Sequence, residues 1–154
     1  MSDNVLSVIP TDPHWQPGHE QADRARELLA QFAPDPDRLD SDLTAKWHET
    51  ITAVDCGANL ERITCPLCSA AIDTDWWSDL LEERSDEGLD DLATDVPCCG
   101  GHTSLNELEY EWPCGFARFE IALWNPGRNW LTDQELSAIA QALGHPVRQI
   151  LTHI

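Results

Sequence analysis

The hydrophobic pattern of the chain is regular at both ends and broken in the middle. Residues 4–10, Asn-Val-Leu-Ser-Val-Ile-Pro, combine near-alternation with branched side chains and predict a strand. After the turn residues Thr11-Asp12-Pro13 and Pro17-Gly18, the period lengthens. Ala22, Ala25, Leu29 and Phe32 recur every three or four residues over 19–33, with Glu20, Asp23, Arg24 and Glu27 between them, which predicts an amphipathic helix. Pro34 and Pro36 end it in an acidic loop. Residues 45–54, rich in β-branched side chains and carrying Trp47, read as a second strand.

Regularity returns at Phe116. Ala117, Phe119, Ile121 and Leu123 alternate with Arg118, Glu120 and Ala122 as in a half-buried strand, stopped by Asn125-Pro126-Gly127. Thr132-x-x-Glu135 spells a capping box, and Leu136, Ile139, Ala140 and Leu143 form the apolar face of the helix it opens. Gly144 stands where a glycine cap belongs. A last strand is expected over residues 147–154. With residues 56–114 set aside, the order is strand, helix, strand, strand, helix, strand. That is the α+β, ferredoxin-like split βαβ arrangement (βαββαβ), with two helices on one face of an antiparallel sheet. The expected domain comprises residues 1–55 and 115–154, with 56–114 inserted between its second and third strands.

The insert has a different character. Short strands are expected over residues 60–64 and 92–96, a short helix over 75–83, and a helical turn at Ser104-Leu105-Asn106-Glu107. All six cysteines fall within residues 56–114. Cys65-Pro66-Leu67-Cys68 is a C-P-x-C turn, in which two thiolates converge on one metal while backbone N–H groups point at the sulfurs. A second pair must come from Cys98-Cys99-Gly100-Gly101-His102, which follows after a spacer. Four thiolate or imidazole ligands suit one tetrahedral zinc ion. Cys98 and Cys99 are the preferred partners of Cys65 and Cys68, because thiolates outcompete imidazole in a sulfur-rich site. His102, in a Cys99-Gly100-Gly101-His102 knuckle, is the alternative fourth ligand. Either set fills every position with protein, which describes a closed structural site. Cys56 and Cys114 read as small packed thiols.

The segments Thr64-Cys65-Pro66-Leu67-Cys68 and Pro97-Cys98-Cys99-Gly100 resemble the two knuckles of a zinc ribbon over about 40 residues. The second departs from the usual pattern, being C-C-G where C-x-x-C-G is expected. The whole chain is similar to small bacterial proteins that open on a comparable strand followed by Pro-Thr-Asp. The resemblance implies a zinc-bearing module and carries no activity with it, since ribbons serve transcription, translation and protein contacts alike.

Charge narrows the partners. The net charge is −19, with one lysine, Lys46, in 154 residues. Residues 70–95 hold ten acids against Arg84 alone. Such a chain repels phosphate backbones, so nucleic acid is disfavoured and a basic protein is the expected partner. Acidic pairs such as Glu82-Glu83 read as a solvated face. No apolar run approaches the ~20 residues needed to span a bilayer. No basic and apolar leader opens the chain, so cytoplasmic residence is expected, which favours metal over disulfides.

No G-x-S-x-G, P-loop, G-x-G-x-x-G or H-E-x-x-H is present. His14, His19 and His48 are read as isolated histidines. Trp130 is read as packing under the last helix, with a surface pairing to Arg128 as the alternative. The functional expectation is a non-enzymatic zinc-binding interaction protein, such as a toxin-immunity or adaptor protein. A metal- or thiol-dependent enzyme comes second, and a nucleic-acid binder through the ribbon third.

Overall fold

Strand β1 (Asn4–Pro10) is one of two inner strands of the principal sheet, paired on both sides and buried over six of its seven residues. The structure is a computed structural model, and it describes residues 4–32, 43–54, 62–85, 92–111, 114–126, 128 and 130–153. After β1 come α1 (His19–Phe32), β2 (Leu43–Val54), β3 (Ile63–Thr64), β4 (Ala71–Ile72) and α2 (Thr74–Ser85). Then follow β5 (Ala93–Asp95), β6 (His102–Ser104), a 3-10 turn (Leu105–Glu107), β7 (Glu109–Tyr110), β8 (Gly115–Trp124), α3 (Asp133–Leu143) and β9 (Val147–His153). No helix among the described residues is long and apolar enough to cross a membrane.

This is a mixed α and β fold with three α-helices among the described residues. Its principal sheet has the order β2-β8-β1-β9, with every neighbouring pair antiparallel. The period-2 pattern explains which face is covered. Leu6 and Val8 of β1, with Phe119, Ile121 and Leu123 of β8, turn toward α1 and α3. Ala22, Ala25 and Leu29 from α1 and Ile139 and Leu143 from α3 meet them. Each of the larger buried side chains contributes about 1.5–3 kcal/mol, so this layer carries most of the sheet's stability.

The β2–β8 pairing is interrupted. It runs from Leu43↔Leu123 to Trp47↔Phe119 and resumes only at Thr52↔Ala117, so His48, Glu49, Thr50 and Ile51 stand opposite Arg118 alone. The Gln16 side chain donates to both the His48 and the Arg118 carbonyl, each at 3.0 Å, and satisfies acceptors the ladder leaves over. Trp47 Nε1 donates to the Pro17 carbonyl nearby.

The irregularity releases Ile51 from the helix-facing core into a second one. Ile51 and Phe116 pack with Ile63, Cys65, Ile72, Trp77, Leu92, Val96, Leu105 and Leu108. The inserted segment is therefore built onto the end of the principal sheet. Its own pairing is sparse: β4-β3-β7 form one small sheet and β5-β6 another, with no strand pair joining the two among the described residues. Trp77 Nε1 donates to Tyr110 Oη (3.1 Å), and that hydroxyl donates to the Leu105 carbonyl (2.7 Å). Arg84 donates to the Ala93 carbonyl and ties α2 to β5.

Several elements depart from the sequence expectation. Strands β4, β6 and β7 have two or three residues, too few for a period to register. The helical turn expected at Ser104 forms, but without the reciprocal bonds of a capping box. The Ser104 hydroxyl accepts from Asn106 N–H, while Glu107 takes a hydrogen bond from Thr103, so only a single 3-10 turn forms. Of the strand expected over 60–64, residues 60 and 61 lie outside the described set, Arg62 is not in a strand, and β3 is only Ile63–Thr64.

Candidate metal centre

Two short hairpins carry the cysteines, and each turns in the same way. In the first, β3 ends at Thr64, Cys65 N–H donates to the Ala70 carbonyl (2.9 Å), and Ser69 N–H returns to the Cys65 carbonyl (3.0 Å). In the second, β5 ends at Asp95, Val96 N–H donates to the Gly101 carbonyl (2.9 Å), and Gly100 N–H returns to Val96 (2.9 Å). The residue closing each turn is left-handed: Ser69 has φ 65° and Gly100 φ 69°. Proline follows the first position in both, as Pro66 and Pro97.

Superposing these bonds places Cys65 with Val96, Leu67 with Cys98 and Cys68 with Cys99. The C-C-G spelling of the second knuckle thereby gains a physical meaning. Its buried first position holds valine, and the cysteine that would stand there has moved two residues along, to the outward third position. Val96 instead joins Cys65 in the second core, the two being 1% and 0% exposed.

Despite the shift, the sulfurs converge. The Sγ atoms of Cys65, Cys68, Cys98 and Cys99 all lie within 4.8 Å of one another, and Cys68 Sγ is 3.4 Å from Cys98 Sγ. A tetrahedron of thiolates around zinc, with Zn–S near 2.3 Å, has edges of about 3.8 Å. The cluster is close to that size, and these four thiols could hold a metal ion. Gly101 leaves room beside the cluster, where a side chain would displace the exposed Leu67 and crowd Cys99. A Cβ there would stand 2.5 Å from Leu67 Cδ1 and 3.3 Å from Cys99 Sγ.

His102 lies outside the cluster. It pairs across the β5–β6 ladder with Asp95, its Nδ1 3.0 Å from Oδ1, and both side chains are well exposed. The isolated histidines form no ligand group among the described residues. His19 packs on Trp47 at 4.4 Å, and His48 Nε2 stands 4.0 Å from Glu120 Oε1, beyond hydrogen-bond reach. Glu120 accepts instead from Ser7 Oγ at 2.6 Å. Cys114 is buried, and Cys56 lies outside the described residues. Trp130 packs against the helix-facing core, and Arg128 forms an ion pair with Glu135.

The thiols do not titrate alike. Desolvation opposes ionisation of Cys65, but the N–H groups of Cys68 and Leu67 and the neighbouring thiols outweigh it, lowering Cys65 to about 7. At Cys98, desolvation acts together with hydrogen bonds and charge from Cys68 and Cys65, and the thiol is pushed up to about 12. At Cys99 the Gly101 N–H favours the thiolate, yet desolvation, Cys68 and Cys65 prevail and raise it. The surroundings thus favour the thiolate at Cys65 and the proton at Cys98 and Cys99. A cation placed among them would reverse that balance.

The sequence showed the four cysteines but not the correspondence of Val96 with Cys65. The signal was available: Cys-Pro-Leu-Cys-Ser-Ala and Val-Pro-Cys-Cys-Gly-Gly align on the proline, the last cysteine and the small pair. No known protein family, curated protein or solved structure matches this chain.

Proposed function

We infer that the chain is a non-enzymatic protein in which Cys65, Cys68, Cys98 and Cys99 hold one structural zinc ion, and that its acidic surface docks a basic protein. The observation that carries the metal reading is the convergence of four thiols within 4.8 Å from two matching turns. Zinc is chosen because four sulfurs at tetrahedral spacing satisfy its preference and leave no position for substrate. Thiolate ligands need a reducing compartment, so the cytoplasm is the proposed location.

In this reading the principal sheet is a ferredoxin-like scaffold and the insert a zinc-ribbon-like module. The order β2-β8-β1-β9 and the two helices on one face support the first assignment. The paired knuckles support the second. The metal replaces the backbone pairing that the two hairpins lack, a role that suits a structural ion.

The partner reading rests on charge. Asp73, Asp75, Asp79, Glu82 and Glu83 are all exposed, on or beside α2. A surface of one sign raises association rates with the opposite sign and rejects like-charged partners.

Metal analysis of the purified protein beside Cys65→Ser tests the centre. The wild type is expected to carry one zinc per chain and the variant none, with a lower melting temperature. A variant with unchanged zinc and stability would refute the site. Affinity capture from the native host, repeated with Asp75, Asp79, Glu82 and Glu83 changed to asparagine or glutamine, tests the partner. A basic protein lost with the acids supports the reading, and failure to recover any specific protein at moderate salt counts against it.

A further inference from the structure

Three of the four cysteines are exposed residues, although their sulfurs converge on one another. Cys68, Cys98 and Cys99 are exposed, and only Cys65 is buried. The imbalance follows from the second knuckle, where Val96 occupies the inward position and its cysteine sits outward in the place of Leu67. That shift brings Cys98 Sγ to 3.4 Å from Cys68 Sγ, across two hairpins that no strand pairing joins among the described residues.

We propose that Cys68 and Cys98 form a peroxide-sensitive release for the metal, in which oxidation joins them as a disulfide, frees the ion and keeps the hairpins cross-linked. This rests on the four-thiolate zinc reading above. The geometry selects the pair. Cys65 is closed to an oxidant in solution. Cys98 and Cys99 are neighbours in the chain, and consecutive Cα atoms about 3.8 Å apart fall short of the roughly 4.4–6.8 Å that a disulfide spans. Cys68 could meet either exposed cysteine of the second turn, since Cys99 Sγ also lies within 4.8 Å of it; Cys98 is chosen because its sulfur already touches that of Cys68, at 3.4 Å.

The chemistry needs hydrogen peroxide as its only co-reactant. One thiolate of the pair attacks the O–O bond and becomes a sulfenic acid, and the departing hydroxide is protonated to water. The second thiolate attacks that sulfur, so the S–S bond forms as the S–O bond breaks and a second water leaves. Two sulfurs supply the two electrons that reduce the peroxide. In all, one zinc tetrathiolate, one peroxide and four protons give a disulfide, two thiols, a zinc ion and two waters. Cys65 and Cys99 alone remain on the ion, too few ligands to hold it closed.

The test uses the full-length zinc-loaded protein, titrated with hydrogen peroxide. Released zinc is followed with a metallochromic indicator, and remaining thiols are alkylated and mapped without reduction by peptide mass spectrometry. The expected result is one zinc released per peroxide, a Cys68–Cys98 cross-link, and alkylated Cys65 and Cys99. Dithiothreitol with added zinc then restores the starting state. Cys98→Ser, where it still binds zinc, is expected to retain it over the time in which the wild type loses its own. Where that variant binds none, the wild-type map decides. A protein that keeps zinc through excess peroxide, or loses it with a different pairing, overturns this proposal alone. A protein that takes up no zinc overturns the metal reading with it.

Discussion

Ser69 and Gly100 close equivalent turns at nearly the same left-handed φ, 65° and 69°, but only one of them is a glycine. An L side chain in that region meets the following carbonyl at a cost of about 1–2 kcal/mol. Ser69→Gly is therefore expected to raise stability by up to about 1 kcal/mol once the added freedom of the unfolded glycine is counted. Gly100→Ser should lower it by a similar amount. Urea denaturation of the metal-loaded variants measures both, and a destabilised Ser69→Gly would show that the serine hydroxyl matters more than its backbone. At this scale the sequence was partly legible. Cys65 and Cys68 announced themselves because a chelating turn needs two sulfurs three residues apart. Val96 did not, because valine at a ligand position carries no chemical sign of the place it occupies.

At the scale of elements, α3 shows how local and distant contacts combine. Its start was legible: Thr132 Oγ1 accepts from Glu135 N–H (3.1 Å), and the Glu135 carboxylate accepts from Thr132 N–H (2.9 Å). Its end was too, with Gly144 at φ 85° donating to the Ala140 carbonyl. The clamp beyond the box was not legible. Arg128 holds both oxygens of Glu135, at 2.6 and 2.8 Å, and also donates to the carbonyl of Phe32 at the end of α1. The Arg128 hydrogen bonds, followed by that of Thr132 N–H, hold the Glu135 carboxyl down to about 2, against an ordinary 4.5. A depressed carboxyl stabilises the fold fully above its unfolded value, and that contribution is lost as pH falls toward the folded one. Glu135→Gln should thus cost on the order of 1 kcal/mol at neutral pH. The gap to wild type should close as the pH falls below about 4.5. Thermal melts across that range test this, and a gap independent of pH would assign the loss to shape and not charge.

For the whole molecule, the two cores divide the consequences of metal loss. The helix-facing core draws on long strands and two helices, whereas the insert joins strands of two or three residues around its own cluster. Chelation is expected to remove hydrogen-exchange protection from residues 62–85 and 92–111 while β1, β8 and β9 keep theirs. Uniform loss across both regions would show a single cooperative unit. Metal affinity should also fall on acidification, since binding must displace at least the protons held on Cys98 and Cys99. Two protons correspond to about a hundredfold per pH unit, measurable by competition with a chelator of known affinity. The order of long elements and the identity of the clustered cysteines followed from the chain itself, because periodicity and the spacing within each cysteine pair are local properties of the sequence. Tertiary structure alone decided the rest. It set the break in β2 that sends Ile51 into the second core, brought Phe32 to Arg128, left His102 with Asp95, and placed Cys98 against Cys68. All but the His102–Asp95 contact, which the short β5–β6 hairpin makes, depend on segments distant in sequence meeting in space, and a two-residue strand or a displaced cysteine leaves no period from which that meeting can be read.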